Sequence, residues 1–177
     1  MKLEAASTTP PKTLREFLTD LGDGENGFMG TRVPAGEVSL EDYLQQCCAM
    51  TDETMLRPGL VPQTTFWALS DVDGVVGMVR MRHYLNDNLR IHGGHIGYYI
   101  RRDQRDKGYG KKILALALAE LQKLGEKRAL ITTSGDNARS IRVIEANGGQ
   151  FCDLSSDAGA QYRRYWIDLA SEAHSQR

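Results

Sequence analysis

Two segments in the first third of the chain place apolar residues at the three- and four-residue spacing of an amphipathic helix. The apolar positions are Leu14, Phe17, Leu18 and Leu21 in the first segment and Tyr43, Leu44, Cys47 and Met50 in the second. Ser39 precedes the second segment and is a typical N-cap, with acidic residues in the turn that follows. The glycine-rich stretch between the two helices is predicted to be a long loop, of a length that is often functional.

The middle of the chain changes to runs of β-branched and aromatic residues separated by turns. An Asp-Val-Asp-Gly turn joins two such runs, which predicts a β-hairpin. A polar connection at 84–94 then leads to a further strand. The strands predicted up to this point lie within 1–9 and at 64–69, 75–83 and 95–100.

The last third alternates helical and strand patterns. Residues 113–124 repeat apolar positions at three and four, and Gly125 is placed to end that helix. A short strand at 128–133 and a second helix at 136–146 follow. Strand, helix and strand in this order predict a parallel pair with a right-handed crossover. Two final strands are predicted at 150–154 and 162–169.

Length and composition indicate a globular α/β protein of one domain. The chain has 177 residues, of which 41% are hydrophobic and 25% are charged. We expect one domain over 1–170, with an N-terminal part at 1–62, a core at 63–169 and a polar tail at 171–177. The net charge of −1 gives no reason to expect nucleic acid. No apolar run approaches the ~20 residues of a membrane span.

The number and spacing of the cysteines argue against structural disulfide bonds and against a cysteine-bound metal site. The chain has three cysteines, two of them adjacent, and no Cys-x-x-Cys. We therefore expect neither a disulfide framework nor a metal site, and free thiols suit a reducing cytoplasm. The N-terminus lacks the apolar segment of a secretory signal. Cys47 and Cys48 lie in a predicted helix and are expected to be packing residues rather than nucleophiles.

The stretch from Gln104 to Lys112 carries the clearest chemical signal. It lies between a predicted strand and a predicted helix and contains Arg-x-x-Gly-x-Gly, with Arg105, Gly108 and Gly110 at the defined positions. Glycine lets the backbone approach a ligand closely. The first amides of a helix have no intrahelical partner and lie at the positive end of its dipole. The stretch is therefore predicted to bind a phosphate through backbone N–H groups.

The spacing excludes two other phosphate-binding loops. A Walker loop needs two glycines five apart and then Lys and Ser/Thr, whereas this chain has Gly-Tyr-Gly-Lys-Lys. The dinucleotide fingerprint needs a third glycine three positions after the second, where this chain has Ile113. A tight turn that only caps the helix is the alternative to a phosphate site.

From about Thr65 onward the chain resembles the GNAT superfamily of acyl-CoA-dependent N-acyltransferases. The order β-β-β-turn-α-β-α-β-β, with Arg-x-x-Gly-x-Gly at the turn, is similar to that family. The segment from Asn137 to Gly149 resembles its Asn-x-x-Ala/Ser…Glu-Lys-x-Gly-Phe motif on the next helix. Within the superfamily, four further stretches resemble a bacterial group of predicted acetyltransferases. These stretches are Val61–Trp67, Arg82-His83, Gly93–Tyr98 and Arg164–Ile167.

The resemblance implies a fold and a coenzyme site. The fold would be α/β (α+β in some schemes), a mixed, mostly antiparallel, twisted sheet of about six to seven strands flanked by about four helices, with a splayed parallel pair at its centre. A β-bulge near 98–100 would open the sheet. Acetyl-CoA would be the cosubstrate, with its pyrophosphate on the glycine turn and its pantetheine along the strand edge. Residues 1–62 would wall the acceptor, and 63–169 would be the acyl-CoA-binding core. The implied coenzyme-binding residues are Tyr98, Tyr99, Ile100, Arg105, Asp106, Lys107, Gly108, Tyr109, Gly110, Lys111, Asn137 and Ser140.

Three positions depart from the family pattern. Arg102 stands where proline is common, and Asp106 stands where glycine is common. The Asp106 carboxylate would disfavour a pyrophosphate unless it points to solvent or pairs with a neighbouring arginine. Ile144 stands where many relatives carry the tyrosine that protonates the departing thiolate. Ser140 and Tyr109 are candidate substitutes. Alternatively the thiolate leaves unassisted, because a thiol with a pKa of ~8.5 is a tolerable leaving group near neutral pH.

Acylation of an amine also needs a group that accepts its proton. His95 is the first candidate base, because it stands near the start of the strand where some relatives place a glutamate and because imidazole titrates near neutrality. The alternative is a structural histidine bonded to a loop. His83 is a second candidate. His92 and His95 are three positions apart, so on a strand they would point to opposite faces, which argues against a metal pair.

The predicted function is direct transfer of an acetyl group from acetyl-CoA to a primary amine, in a ternary complex in the cytoplasm. The acceptor would be a small molecule or a peptide, with no metal, nucleic acid or membrane partner, and a homodimer is common in the resembled family. Acidic residues in the N-terminal part, Glu25 among them, would suit a cationic amine, or they are solvated loop acids. Two other functions stay open. One is a catalytically silent acyl-CoA-binding module, which Ile144 favours, and the other is an unrelated α/β domain whose turn binds another phosphate.

Overall fold

The computed structural model describes residues 1–169, which form two antiparallel sheets and a small hairpin, with five helices. The strands are β1 (Lys2–Ala5), β2 (Gly24–Glu25), β3 (Phe28–Met29), β4 (Gln63–Ser70), β5 (Gly74–Arg82), β6 (Ile96–Ile100), β7 (Arg128–Ser134), β8 (Gln150–Asp157) and β9 (Ala160–Asp168). The helices are α1 (Leu14–Leu21), α2 (Leu40–Ala49), α3 (Asp87–Ile91), α4 (Tyr109–Lys123) and α5 (Ala138–Ala146). The predicted tail at 171–177 lies outside the described residues.

The predicted α/β class and most predicted elements are confirmed. The first sheet has the order β1-β4-β5-β6, the second has the order β7-β9-β8, and all pairs within them are antiparallel. Two elements were not predicted: the β2–β3 hairpin in the glycine-rich loop and the short helix α3 in the polar connection. Both are too short to show a hydrophobic period, so the sequence pattern gave no signal for them.

Two hydrophobic cores lie on opposite faces of the first sheet. On one face α4 and α5 cover the sheet and join it to the second sheet. On the other face α1 and α2 pack on Trp67, Met78 and Tyr99. The four predicted apolar positions of α1 are fully buried. Each such side chain contributes roughly 1.5–3 kcal/mol, so this face holds the N-terminal part firmly on the sheet.

Hydrogen bonds from one local cap and one distant strand fix the starts of the N-terminal helices. The Ser39 hydroxyl accepts the Asp42 N–H at 3.0 Å, which confirms the predicted N-cap of α2. Before α1, the Thr13 hydroxyl accepts the Val75 N–H at 2.7 Å and ties the start of that helix to β5. The N-terminal helices are thus held at defined positions on the sheet.

The two sheets separate between β6 and β7. The strands are neighbours only at their base, where the His95 N–H donates to the Leu130 carbonyl at 2.8 Å, and beyond that point they belong to different sheets. The predicted parallel pair is therefore splayed. The predicted bulge near 98–100 is wrong, because β5 and β6 keep one register from Met81↔Ile96 to Gly77↔Ile100. Beyond the Leu130 contact β7 pairs, among residues 1–169, only with β9, and the outer edge of β6 is left uncovered.

Candidate functional site

A cleft of about 1240 Å³ lies between β6 and β7 and extends across the first sheet. At one end its walls are the glycine turn and the first turn of α5. At the other end they are α2, the β2–β3 hairpin and parts of β4 and β5. The walls contain seven Lys or Arg residues and three Asp or Glu residues, although the whole chain has a net charge of −1. The cleft is therefore a basic site on a nearly neutral protein.

The glycine turn has the backbone geometry predicted for a phosphate site. Gly108 is the N-cap of α4 in the left-handed conformation, with φ of 82°, and within residues 1–169 no side chain caps this helix. A Cβ placed on Gly108 would meet no atom within 4 Å, so the space beside the turn is open. The first amides of α4 thus have no side-chain partner and stand at the positive end of a fifteen-residue helix.

Charged side chains of the turn pair mainly with residues outside the turn, in the N-terminal part and on α5. Arg105 bonds to Glu25, and its Nε donates to the Ile100 carbonyl at 3.1 Å. Asp106, with φ of 60°, pairs with Arg139 of α5 at 3.2 Å and not with an arginine of its own turn. The Asp106 carboxylate, which would repel a pyrophosphate, thus has its negative charge balanced by Arg139. Lys107 donates to Gln104 at 3.0 Å.

Two basic residues at this end, Lys111 and Arg142, line the cleft and form no ion pair among the residues that the structure describes. Both are therefore available to an anion that enters the cleft, and they add positive charge next to the start of α4. Charge and backbone geometry at this end agree on an anionic ligand.

The outer edge of β6 presents backbone groups to the cleft. The Arg101 N–H donates to Val76 of β5 at 2.9 Å, so by alternation the N–H and C=O groups of Tyr98 and Ile100 point the other way. Arg105 uses the Ile100 carbonyl. The Tyr98 amide and carbonyl and the Ile100 amide are left for strand-like bonding by a ligand, whereas the backbone groups of Tyr99 face β5.

Tyr98 and Tyr99 both border the cleft, but their hydroxyl groups have different surroundings. The Tyr98 hydroxyl is 3.1 Å from the Ser140 hydroxyl, and burial raises the pKa of Tyr98 to about 12. Asn137 caps α5 by accepting the Ser140 N–H at 3.1 Å. The Tyr99 hydroxyl donates to Asp20 at 2.8 Å, beside Phe17. The Tyr98–Ser140 pair therefore places a protonated donor in the splay.

Of the two candidate acids, only Ser140 presents its side chain to the cleft. The Tyr109 hydroxyl lies instead at the β4–β5 turn, 3.2 Å from Asp73 and 3.4 Å from Ser70. The structure does not bring it to the site, because the first turn of α4 directs this side chain toward the sheet. Ile144 is fully buried in the core and provides no proton.

His95 lies at the base of the splay and outside the cleft walls. Its side chain is 3% exposed, and its Nδ1 accepts the Leu130 N–H at 2.9 Å. A neutral ring bonded in this way carries its proton on Nε2, which is 3.8 Å from Glu126. Burial, with the charges of Arg90 and Arg82, lowers the pKa of His95 to about 4. This geometry favours the structural alternative, since neither ring nitrogen has a lone pair open to a substrate.

His92 is the residue that the sequence did not identify. It lines the cleft, its Nδ1 is 3.0 Å from Asp157 of β8, and its ring stacks on Tyr162 at 4.9 Å. The carboxylate fixes the ring and leaves Nε2 available. His83, by contrast, bonds to Thr64 at 2.8 Å and does not line the cleft. Only the fold could reveal the His92–Asp157 pair, because its members are far apart in the chain.

The end of the cleft away from the glycine turn is called the acceptor end here, because the predicted acceptor side at 1–62 borders it. It is built from polar positions on the sheet face that α1 and α2 leave uncovered. Its floor contains Gln63, Thr65, Arg80, Arg82 and Gly97. The predicted suitability of N-terminal acids for a cationic amine finds no support here. The carboxylates that reach the cleft are already paired, Asp23 with Arg32 at 3.3 Å and Glu25 with Arg105 and Arg102.

Cys47 also borders this end but is a packing residue, as predicted. It is buried beside Tyr43 and Thr65, and burial raises the pKa of its thiol, which keeps it protonated. Over residues 1–169, no group of three or more His, Cys, Asp or Glu residues is arranged to hold a metal ion. In the same range, none of the helices has the length and apolar character needed to traverse a bilayer.

Comparison with known proteins agrees with this geometry. A family model described as "Acetyltransferase (GNAT) domain" matches residues 28–150. Comparison with curated proteins gives no significant match. Three solved structures that are similar in fold are YncA from Salmonella typhimurium, solved with its cofactor acetyl-CoA; a variant of the spermidine N-acetyltransferase SpeG from Vibrio cholerae; and the ribosomal-protein-alanine N-acetyltransferase from Brucella melitensis.

The likeness to these structures spans whole chains at low identity. YncA is 14% identical with a TM-score of 0.64, over 99% of this chain and 97% of YncA. SpeG is 11% identical with a TM-score of 0.66, over 96% and 95%. The Brucella enzyme is 16% identical with a TM-score of 0.66, over 96% and 100%. At such identities the comparison shows a shared fold, and specificity has to be argued from this chain's own residues.

Proposed function

The chain belongs to the acetyltransferase (GNAT) family, and from this premise we propose that it transfers an acetyl group from acetyl-CoA directly to a primary amine within a ternary complex. One observation carries the proposal: the cleft runs without a break from the uncapped start of α4 to the floor of β4 and β5. A coenzyme arm and an acceptor can therefore meet inside one cavity, and no covalent enzyme intermediate is needed.

In this proposal the backbone does most of the coenzyme binding. The amides from Asp106 to Lys111 hold the pyrophosphate at the start of α4. The outer edge of β6 bonds the pantetheine, and Asn137 stands beside that arm. The Ile100 amide donates to the thioester oxygen as negative charge develops on it. These groups are fixed by strand and helix hydrogen bonds, so they need no rearrangement during the reaction.

Two side-chain pairs manage the protons. The His92–Asp157 pair accepts the proton of the amine as its nitrogen bonds to the acetyl carbon. The carbon–sulfur bond then breaks, and the Tyr98–Ser140 pair hydrogen-bonds the departing thiolate, which takes up a proton from solvent to leave as coenzyme A, while the proton accepted by His92 passes to solvent. Tyr98 stays protonated throughout the neutral range, since burial raises its pKa to about 12. His95 holds β6 to β7 at the base of the site.

Calorimetric titration with acetyl-CoA, coenzyme A and ATP tests the proposal. We expect micromolar-range binding of both coenzyme forms and none of ATP. The gap between β6 and β7, next to the turn, has room for a pantetheine arm, and the turn itself lacks the Walker Lys-Ser/Thr pattern. Binding of ATP without coenzyme A would indicate an unrelated phosphate-binding domain and would refute the proposal.

A catalytically silent acyl-CoA-binding module is the second candidate, and Ile144 favours it, because that side chain lies in the core where relatives place a tyrosine. The two functions differ in turnover. With acetyl-CoA bound, release of coenzyme A on addition of primary amines identifies an enzyme. Binding with no release across amino acids, peptides, polyamines and aminoglycosides identifies the silent module.

The setting of the reaction remains as predicted from the sequence. We propose a cytoplasmic protein, consistent with Cys47, Cys48 and Cys152 all being free thiols. The homodimer expected from the family stays a prediction, which sedimentation equilibrium measures directly.

A further inference from the structure

Arg80 and Arg82 stand side by side on the floor of the acceptor end. They are two residues apart on β5 and therefore point to the same face of the sheet. Arg80 is flanked across the strands by Thr65 on β4 and Gly97 on β6. Both arginines line the cleft. The apolar face that α1 and α2 cover thus gives way to two guanidinium groups where the cleft begins.

No carboxylate of the described chain, residues 1–169, neutralises these two groups. Arg80 donates to the Met29 carbonyl at 2.7 Å and lies over the Phe28 ring at 4.7 Å. Arg82 donates to the Gly93 carbonyl at 3.0 Å. These bonds orient the guanidinium groups but cancel none of their charge.

The acids that share the cleft are committed to other arginines. Asp23 pairs with Arg32, Glu25 with Arg105, and Asp106 with Arg139. Arg102, which is about half exposed, also has carboxylate partners, Asp20 and Glu25, whereas Arg80 and Arg82 have none within residues 1–169. The two arginines of β5 are thus exceptional among the basic residues of the acceptor end.

Two like charges in a partly enclosed site are unfavourable without an anion. Burial, together with the charge of Arg80, lowers the pKa of Arg82 to about 10. An oxyanion with two acceptor atoms relieves both effects, because a guanidinium fork matches a carboxylate in geometry and charge. The positive charge of Arg80 and Arg82 can therefore be balanced by an anionic ligand that enters the cleft.

The floor between these groups also has space. Gly97 lies next to Arg80 on the neighbouring strand, and a Cβ there would stand 3.5 Å from the Phe28 ring and 3.6 Å from the Arg82 guanidinium. A longer side chain would fill the site. Glycine keeps the approach to both arginines open.

We propose that Arg80 and Arg82 bind the carboxylate of the acceptor, so that the substrate is a small amino acid or a related amino carboxylate rather than a polyamine. The inference rests on the proposed acetyltransferase function and names its substrate class. Arg82 bonds to the Gly93 carbonyl, directly after His92, so the carboxylate site and the proposed base share one loop. An acceptor anchored at the arginines therefore presents its amine toward that base.

Matched acceptors test the assignment. Each set contains an amino acid, its carboxamide and its decarboxylated amine, for example leucine, leucinamide and isoamylamine, with aminoalkylphosphonates and putrescine added. Coenzyme A release is measured with each. We expect kcat/KM for the amino carboxylate to exceed that for its carboxamide and its amine by at least about tenfold, because a site built for a charge rejects an analogue that lacks it.

Variants connect that preference to the two arginines. Arg80→Gln and Arg82→Gln should abolish it, Arg82→Lys should retain part of it, and the acetyl-CoA dissociation constant should stay within about twofold. Arg15→Gln, on the exposed side of α1, is the matched control and should change nothing. Thermal unfolding of each variant confirms that it folds.

The outcomes separate this inference from the proposed function. If acetyl-CoA does not bind, the acetyltransferase proposal fails, and this inference fails with it. If acetyl-CoA is used but the carboxamide, the phosphonate or putrescine is preferred, or if the glutamine variants keep the preference, the carboxylate site is wrong and the enzyme function stands. If no amine reacts, N-acetyl-leucine and N-acetyl-leucinamide are titrated into the coenzyme A complex. Tighter binding of the acid supports the site, and equal or absent binding overturns it.

Discussion

The two ends of the cleft are built from different kinds of chemical groups. One is the coenzyme end, at the glycine turn where we propose that acetyl-CoA binds, and the other is the acceptor end. At the coenzyme end the main groups are backbone amides of β6 and of the turn that leads into α4, which are consecutive in the chain. At the acceptor end they are side chains from β4, β5 and the loop at His92, which Asp157 of β8 contacts from outside the cleft lining, and these groups meet only in the folded molecule. The first end is a local structure, and the second is a product of the whole fold.

This difference separates what the family shares from what this protein has of its own. A backbone site tolerates sequence change so long as glycine and helix geometry are kept, which is consistent with whole-chain fold likeness at 11–16% identity. A side-chain site changes with each substitution. We therefore expect variants at the acceptor end to alter rate and specificity, and variants at the coenzyme end to alter acetyl-CoA affinity.

The largest effect is expected for His92→Gln at the acceptor end. Loss of the proposed base should lower kcat/KM about 100-fold at pH 7. The deficit should shrink as pH approaches the pKa of the amine, because the substrate then arrives neutral. The measurement is a pH–rate profile with the best acceptor, with His83→Gln as the control outside the cleft. A constant deficit at all pH values would argue that His92 only supports the fold.

Gly108→Val should affect the coenzyme end. Valine is strained at φ of 82°, and its side chain occupies the open space beside the turn. We expect acetyl-CoA affinity to fall at least about 30-fold, or about 2 kcal/mol, by calorimetry.

The control for this variant is Gly125→Val at the other end of the same helix. Gly125 also has a positive φ, 91°, and open space around its Cβ position. Both variants should lose similar stability, but only the first should lose acetyl-CoA binding. Equal affinity in the two variants would show that the phosphate does not lie at this turn.

His95→Asn distinguishes the structural histidine from the proposed base. In the wild type, burial lowers the pKa of His95 from about 6.5 to about 4. Between those pH values the unfolded chain takes up a proton that the folded protein does not, so the free energy of unfolding falls as pH decreases through this window, by roughly 3 kcal/mol in total. Asparagine can still accept the Leu130 N–H but does not titrate, so the variant should lose this dependence.

Urea unfolding at pH 7.5, 6, 5 and 4.5 measures that difference, and acylation at pH 8 should remain near the wild-type rate. A loss of rate comparable to that of His92→Gln, in a variant of normal stability, would instead make His95 the base.

Tyr98→Phe should give the smallest effect. It removes one hydroxyl of the Tyr98–Ser140 pair and leaves Ser140 to donate to the thiolate. We expect kcat to fall about fivefold, or about 1 kcal/mol, with unchanged acetyl-CoA affinity. Single-turnover kinetics make the comparison, and Tyr84→Phe, whose hydroxyl bonds to Glu53 outside the cleft, is the control. An unchanged rate would show that the thiolate departs without this pair.

The sequence predicted local features well because local physics decides them. The helix at Leu14–Leu21, the Ser39 cap and the uncapped turn at Gly108 follow from residues that are neighbours in the chain. Alternation along β6 likewise gives the hydroxyl groups of Tyr98 and Tyr99 different surroundings. The backbone geometry of the glycine turn could thus be predicted from a short segment, because backbone conformation and helix electrostatics depend on near neighbours. The assignment of individual residues to the coenzyme stays a prediction.

The sequence failed where the answer depended on distant partners. It favoured His95 as the base because of its position on a strand, but the Leu130 amide occupies its lone pair and burial withdraws it from the cleft. It assigned no role to His92, whose partner Asp157 lies on another sheet. It associated Glu25 with a cationic substrate, but Arg105 neutralises that carboxylate.

By itself, then, the sequence determined the class of fold, the order of its longer elements and the conformation of the turn at which we propose that the coenzyme phosphate binds. Only the tertiary structure decided which charges are paired, which histidine lines the cleft, and which two arginines on its floor have no carboxylate partner within residues 1–169. The physical reason is that helix caps, turns and strand alternation are set within a few residues. Burial and charge compensation, by contrast, depend on every group that the fold brings together.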